Sequence, residues 1–390
     1  MHSSILNYPY PYKAWLAMAN DPDNTVKKDW QELHDFIWEE LALPFGDSLF
    51  VKSFNQNLPN QVNLFDNPDI GKAHYHDVIH TWGDYMHARK RGFDREDAEE
   101  AAQTLIEKGI HPKVWIDHAS FIGNFIHGTN KGARASLKDS SGHEYQNFVY
   151  SLDIARKLGV CYVWNGEVTP VIGQGRNLRF QDHKQQSGGS ALKASAKSVL
   201  QQLPSVSLAY VAPDNRQYYP QTFADGSTLY CFRRYGTWID ADIDGLHNLI
   251  EPDNIESLLS VGGTSIIYSH LGKRHSKHSG RENHIPDTTR DDLRNISKKY
   301  KTQELMVSSV SDMLDYLILR DNVEVENNSV IHFKPDGIRF EILNLEDVNG
   351  KVFSFKKKGL NVKNVQVKLN NAVVKPEVRP ESDNVFSIVF

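Results

Sequence analysis

Apolar and polar positions along this chain fall into two periods that take turns, and the turns predict strands followed by helices. Residues 13–20, KAWLAMAN, are nearly continuous apolar sequence and predict a buried strand. Within residues 25–41, Val26, Trp30, Leu33, Phe36 or Ile37, and Leu41 recur at helical spacing. Residues 48–54 predict a second strand, and a third short one precedes the stretch from His76 to His80. Residues 94–108 predict a helix with acidic residues in its first turn, where the macrodipole favours them, and Gly109 as its stop. The pattern continues as strand 113–117, helix 144–158 before Gly159, strand 160–164, an irregular stretch, helix 190–203, and strand 228–232. It ends as helix 253–261, strand 264–269, helix 288–300, strand 305–308 and helix 310–319.

Repeated strand-then-helix units imply parallel strands with helices outside, and seven or eight of them predict an α/β fold, a distorted (β/α)7-8 TIM-like barrel. From Val330 the texture changes to short β-type runs, VIHF, IRFEIL, VFSF, VQVKL and VFSIVF, separated by Asn, Gly and Pro. The expected division is a barrel over residues 1–325 and a small β-sandwich-like module over residues 326–390, offering a surface for homo-oligomerisation.

Composition narrows the function classes. A chain of 390 residues exceeds the roughly 250–300 at which single cores stop growing, in keeping with a barrel plus an appendage. A net charge of −5 gives no general attraction for nucleic acid or an acidic membrane, and nowhere do 18 apolar residues run together. With no basic n-region ahead of an apolar core at the N-terminus, the expected location is cytoplasmic. Cys161 and Cys231 lie in strand-like runs without CxxC spacing and read as buried thiols.

The chemistry concentrates in GKAHYHDVIHTWGDY, residues 71–85. His76 and His80 are four apart, so one helical turn would put both imidazoles on one face, able to grip a single metal ion. Asn20-Asp21-Pro22-Asp23 offers two carboxylates where the first strand should stop. Asp23, His76 and His80 would form a two-His, one-carboxylate site with positions open for water and substrate. Barrel enzymes carry their chemistry at the C-terminal ends of strands, and polar residues end several of those predicted here. They are Asp21 and Asp23, His76 and His80, Asp117 and His118, Arg233 and Arg234, and His270.

With these motifs, NDPD, HDVIH, FRRYG and IIYSHLG, the chain resembles the polysaccharide deacetylase family, the NodB-homology carbohydrate esterases, over roughly residues 13–321. The resemblance implies that Asp21 is the catalytic base, that Asp23, His76 and His80 hold a divalent metal, most simply Zn2+, and that His270 is the acid. FRRYG lacks the family's proline and comes about 150 residues later than the arginine motif usually does, so that role is open between Arg233 and Arg234. The implied function is removal of N-acetyl groups from an acetamido sugar in a glycan or glycan precursor. O-deacetylation would use the same groups, and a catalytically inactive barrel that binds saccharide is the alternative from another class. His118, Trp82 and Trp238 are candidate substrate contacts. The basic run holding His275, His278 and His284 reads as a solvated or anion-contacting loop.

Overall fold

Ala14–Asn20 is buried at every position, which a strand achieves when both of its faces are covered. A computed structural model describes residues 4–22, 25–51, 62–65, 67–68, 70, 76–82, 95–116, 137–138, 144–145, 151–186, 190–200, 215–223, 225–236, 242–273, 282–326, 329–357 and 362–390. At its centre Ala14–Asn20 belongs to a nine-stranded sheet. To one side follow Gly46–Phe50, Val78–Thr81, Val114–Ile116, Tyr162–Trp164 and Thr228–Phe232, all parallel, with Tyr218–Thr222 antiparallel at the edge. To the other side Thr264–Ser269 pairs in parallel with residues 15–20. Leu305–Ser308 pairs with residues 14–17, and Gly46–Phe50 meets the same strand only at Ala19 and Asn20, so these two share one edge.

The chain is therefore mixed α/β with a sheet curled into a half-barrel, in place of the closed barrel expected. From Ala14–Asn20 to Thr228–Phe232 the parallel strands follow one another in chain order, but among the described residues no ladder joins Thr228–Phe232 to Thr264–Ser269. After Phe232 the chain leaves the ladder, and Arg234–Tyr235 pairs instead with Val168–Thr169. The gap is crossed by a side chain, Arg234 Nη1 donating to Tyr268 O at 2.7 Å.

Period-two alternation sorts the sheet's two faces. Trp15, Ala17, Ala19, Val78, Val114, Ile116, Tyr162, Trp164, Tyr230, Phe232, Ile266 and Tyr268 belong to the inner core. Their neighbours Leu16, Met18, Ile267, Ile79, Trp115, Val163 and Cys231 face two outer layers packed against helices. The inner core also takes in helix Val310–Asp321, buried over most of its circumference, with Ser309 as its N-cap accepting from Asp312 N at 3.2 Å. Asp315 of this helix accepts from Tyr162 Oη at 2.5 Å, Lys113 Nζ at 2.8 Å and Arg339 Nε at 2.9 Å.

Two four-stranded sheets make up the C-terminal region. One is Val323–Glu326, Val330–Phe333, Gln366–Leu369 and Ala372–Val374; the other is Val352–Lys356, Val385–Val389 and Glu377–Ser382, with Ser4–Ile5 added at the edge. Phe353 stacks on Tyr316 with ring centroids 4.9 Å apart, tying these sheets to the interior helix. Residues 338–343, expected as a strand, form bends. Asp336 explains them, because its carboxylate accepts from Arg339 N and Phe340 N and supplies a turn in place of a ladder. Two expected helices also differ. Residues 25–41 run as α-helix Lys27–Leu33 and then π-helix His34–Glu40, and Glu144–Tyr145 is a short strand ahead of helix Leu152–Leu158. Among the described residues no helix is long and apolar enough to cross a membrane.

Candidate functional site

The inner face of the sheet turns polar where its strands end. Asp21 follows Ala14–Asn20, and the register that sets Asn20 beside Ser269 carries on to place Asp21 beside His270. Asp21 N donates to Ser269 O at 2.8 Å, fixing that approach. His80 lies two residues beyond inward-facing Val78, and Tyr268 two before His270. Asp21 Oδ2 stands 3.1 Å from His80 Nε2 and 3.0 Å from His270 Nε2, and Tyr268 Oη donates to the same oxygen. Asp21 is fully buried and the His80 side chain is 6% exposed, whereas the His270 side chain is 16% exposed. Of the three, His270 has the most access to solvent.

Burial alone would raise the pKa of Asp21. His270 and His80 outweigh it through charge and hydrogen bonding, and hold the carboxyl well below its ordinary range. A buried carboxylate is stable only when paired and hydrogen-bonded, and this one has three donors. Arg234 completes the group: its guanidinium lies 4.8 Å from the centroid of the Trp164 ring. Burial pulls its pKa down to about 10, opposed by Tyr268 and Asp21. Arg233 goes the other way, to Glu167 Oε2 at 2.9 Å and Arg216 O at 2.9 Å. Of the two, Arg234 is the one that faces Tyr268 and Trp164 beside Asp21.

Two of the three expected metal ligands, His76 and His80, lie beside different carboxylates, Asp47 and Asp21. Val78–Thr81 is a strand rather than a helical turn, so His76 and His80 do not share a helix face. His76 Nε2 lies 2.5 Å from Ile70 O, a geometry in which the ring donates and has no lone pair there for a metal, while its Nδ1 is 4.0 Å from Asp47 Oδ2. Asp23 lies outside the described residues. Among the described residues no group of three or more His, Cys, Asp or Glu side chains is arranged to hold a metal ion.

His76 instead joins a second buried group that sequence reasoning missed. Asp47 accepts from Asn20 Nδ2 at 2.7 Å and Trp30 Nε1 at 3.3 Å, and lies 2.9 Å from His34 Nε2. Burial raises the pKa of Asp47, and His34, His76 and Asn20 bring it below the ordinary value. His34 is sandwiched at i±4 between Trp30 and Trp38, with centroids 3.9 and 4.2 Å away, at the start of the π-helix. Asn20 links the two groups, its Oδ1 accepting from Leu271 N at 3.1 Å, one residue past His270.

A scan against models of known families finds no match, and a search of curated proteins finds none. The site therefore rests on its geometry. Two other expected contacts change place. Trp82 is fully buried, donates to Ser151 Oγ at 2.9 Å and packs on Trp115, so it belongs to the outer core and not to a cleft. His284 is also fully buried, with Nε2 2.5 Å from Leu271 O, and is not part of a solvated loop. Asp117, His118, Trp238, His275 and His278 lie outside the described residues. Tyr268, missed beforehand, had one signal: it shares a strand face with His270.

Proposed function

We propose that this chain is a hydrolase that removes an acyl group from a saccharide, with the N-acetyl group of an acetamido sugar as the expected substrate and polysaccharide deacetylases as the expected family. The observation carrying this reading is the convergence of His80 and His270 on the buried carboxylate of Asp21 where the strands of a curled parallel sheet end. Catalytic carboxylates and imidazoles recur in such places because the strands hold them rigidly while the loops admit substrate.

The roles follow from exposure. The resemblance implies Asp21 as the base, but a base must reach the proton it removes, and Asp21 has no exposed surface. His270 is the better proton carrier: it takes a proton from the attacking water and returns it to the departing nitrogen. Imidazole is suited to both steps near neutral pH. Water oxygen bonds to the acyl carbon, the C–N bond breaks, and acetate and the amine leave. Asp21 orients the His270 ring and stabilises the imidazolium formed in transit, while His270 and His80 hold Asp21 ionised and Tyr268 donates to the same oxygen.

The test is acetate release from N-acetylated oligosaccharides and nucleotide sugars, with O-acetylated sugars and a chelator as separate arms. Release supports the reading. Its loss on chelation and return with Zn2+ would make a divalent ion part of the site, with Asp23 the first ligand to examine. No release from any acylated sugar, with or without added metal, would overturn it.

A further inference from the structure

Where the half-barrel stays open, the edge strand Tyr218–Thr222 and the start of Thr264–Ser269 wall a cavity of about 960 Å3, with the end of helix Val310–Asp321 on a third side. Small-molecule sites measure roughly 300–1,000 Å3 and favour such junctions between elements. None of the lining residues belongs to the Asp21 group. Thr264 begins the strand that leads to His270, and extended chain puts roughly 20 Å between the two.

One stretch of the lining, residues 173–177, is held from several sides. Asn215 Nδ2 donates to Gly173 O at 2.8 Å and to Arg176 O at 3.1 Å, while Gly175 N donates to Asn215 O at 2.7 Å. Gly263 backs onto the same loop so closely that a Cβ there would meet Gly173 Cα at 2.8 Å. Gln174 gives its Nε2 to Val171 O, and Arg176 sets its two Nη atoms on Asp182 at 2.6 and 2.9 Å. That leaves Gln174 Oε1, Arg176 Nε and, from helix Phe180–Gln186, His183 Nδ1 buried with no hydrogen-bond partner among the described residues. Gln174 is 1% exposed and His183 5%. Buried polar atoms nearly always find a partner, and a loop so pinned cannot turn to supply one. A molecule in the cavity can, if it brings a donor for Gln174 and an acceptor for Arg176.

The charges of the lining are matched locally. Arg176 has Asp182, and Arg320 donates from Nε and Nη2 to Asp321 Oδ1 at 2.7 and 2.5 Å. Arg216 is exposed and has an interaction of its own. None of these three arginines is left over for an anion, so the complement is a neutral molecule with donors and acceptors at several points. Hydroxyl groups are both at once. Tyr218 and Tyr230 meet edge to face at 5.2 Å with planes 87° apart, their hydroxyls tied to Asp321 and Asp336 at 2.7 Å. Rings fixed in this way offer an apolar wall to the C–H face of a sugar, but no parallel pair between which a flat base could slide.

We propose that this seam cavity is a second binding site, for a neutral saccharide. The site does not depend on the hydrolase reading: the probes carry no acyl group, and acetate release plays no part in the readout. Maltose, cellobiose and lactose, with adenosine and glucuronic acid as comparisons, are titrated calorimetrically into the full chain and into Asn177→Trp, Leu178→Trp and Gln174→Met variants, each first shown to unfold cooperatively. Asn177 is exposed and Leu178 half-buried, so an indole at either position narrows the opening without entering the core. Gln174→Met keeps the volume and removes the waiting acceptor. One equivalent of at least one disaccharide should bind more tightly than adenosine or glucuronic acid, and one or more of the variants should weaken it by about tenfold or more. Absence of binding by all three disaccharides at about 10 mM would leave a cavity that holds water only and would overturn the proposal. So would unchanged affinity in all three variants, or adenosine or glucuronic acid binding more tightly than every disaccharide.

Discussion

Replacing Asp315 by Ala should be among the most damaging single changes outside the proposed site, and its cost can be worked from four groups. The carboxylate is 3% exposed and receives Tyr162, Lys113 and Arg339 at once. Burial raises its pKa, but Arg339 and Lys113 bring it below the ordinary value, so it is an anion in the folded chain. Removing one partner of a buried pair costs about 3–5 kcal/mol. Lys113 is 37% exposed and can turn to water, so its share is small. Tyr162 has no exposed surface, and its orphaned hydroxyl accounts for about 1–3 kcal/mol. Asp315→Ala should therefore lose about 3–4 kcal/mol of unfolding free energy in a urea titration. Adding Tyr162→Phe should recover about 1–2 kcal/mol of that loss, because the orphan is gone. A loss below about 1 kcal/mol for Asp315→Ala, or strictly additive effects, would refute the view that this helix is pinned inside the half-barrel by one buried carboxylate.

Two further tests address pH and positioning. Asp77 is raised to about 6 by burial, so the folded chain binds the extra proton between its unfolded value near 3.9 and 6, and its contribution to stability falls as pH rises through that window. Asp77→Asn should remove this slope and match or exceed the parent at pH 7.5, and an unchanged slope from pH 4 to 6 would contradict the assignment. Asp315 and Asp47 work in the opposite sense: their folded pKa values are lowered, so their stabilisation is present above about 4 and is lost as pH falls through the folded values. Asn20→Leu removes the bridge from Asp47 to Leu271 N and should cut turnover by about tenfold or more with the fold retained. Full activity in that variant would dismiss Asn20 as a positioning residue.

Much of the fold was legible in the chain because its strands are buried on both faces, and runs such as WLAMA and TSIIYS admit few other readings. The break between Thr228–Phe232 and Thr264–Ser269 was not legible, since closure depends on pairing between distant segments and leaves no local mark. At the site, Asp21, His80, His270 and Arg234 were each picked out, and the structure gathers them. His76 and His80 were expected on one helical turn, but i,i+4 spacing joins residues only on a helix and His80 lies in the strand Val78–Thr81. Trp82 followed the same segment into the outer core. Asp47 and His34 gave no signal, as neither sits in a histidine-rich motif, and their meeting depends on strand Gly46–Phe50 lying under the π-helix.

The most direct measurement is acetate release at saturating acetamido sugar by the parent chain, His270→Ala and Asp21→Asn, each first shown to be folded by a cooperative urea transition. If His270 moves the proton and Asp21 orients it, His270→Ala should lose on the order of 10² to 10⁴ in turnover, with a smaller loss on an activated acetyl ester whose leaving group needs no proton. Asp21→Asn should lose turnover on both substrates and shift the pH profile, because the imidazolium is no longer paired with an anion. Full amidase activity in folded His270→Ala, or an unaltered pH profile in Asp21→Asn, would contradict the central claim.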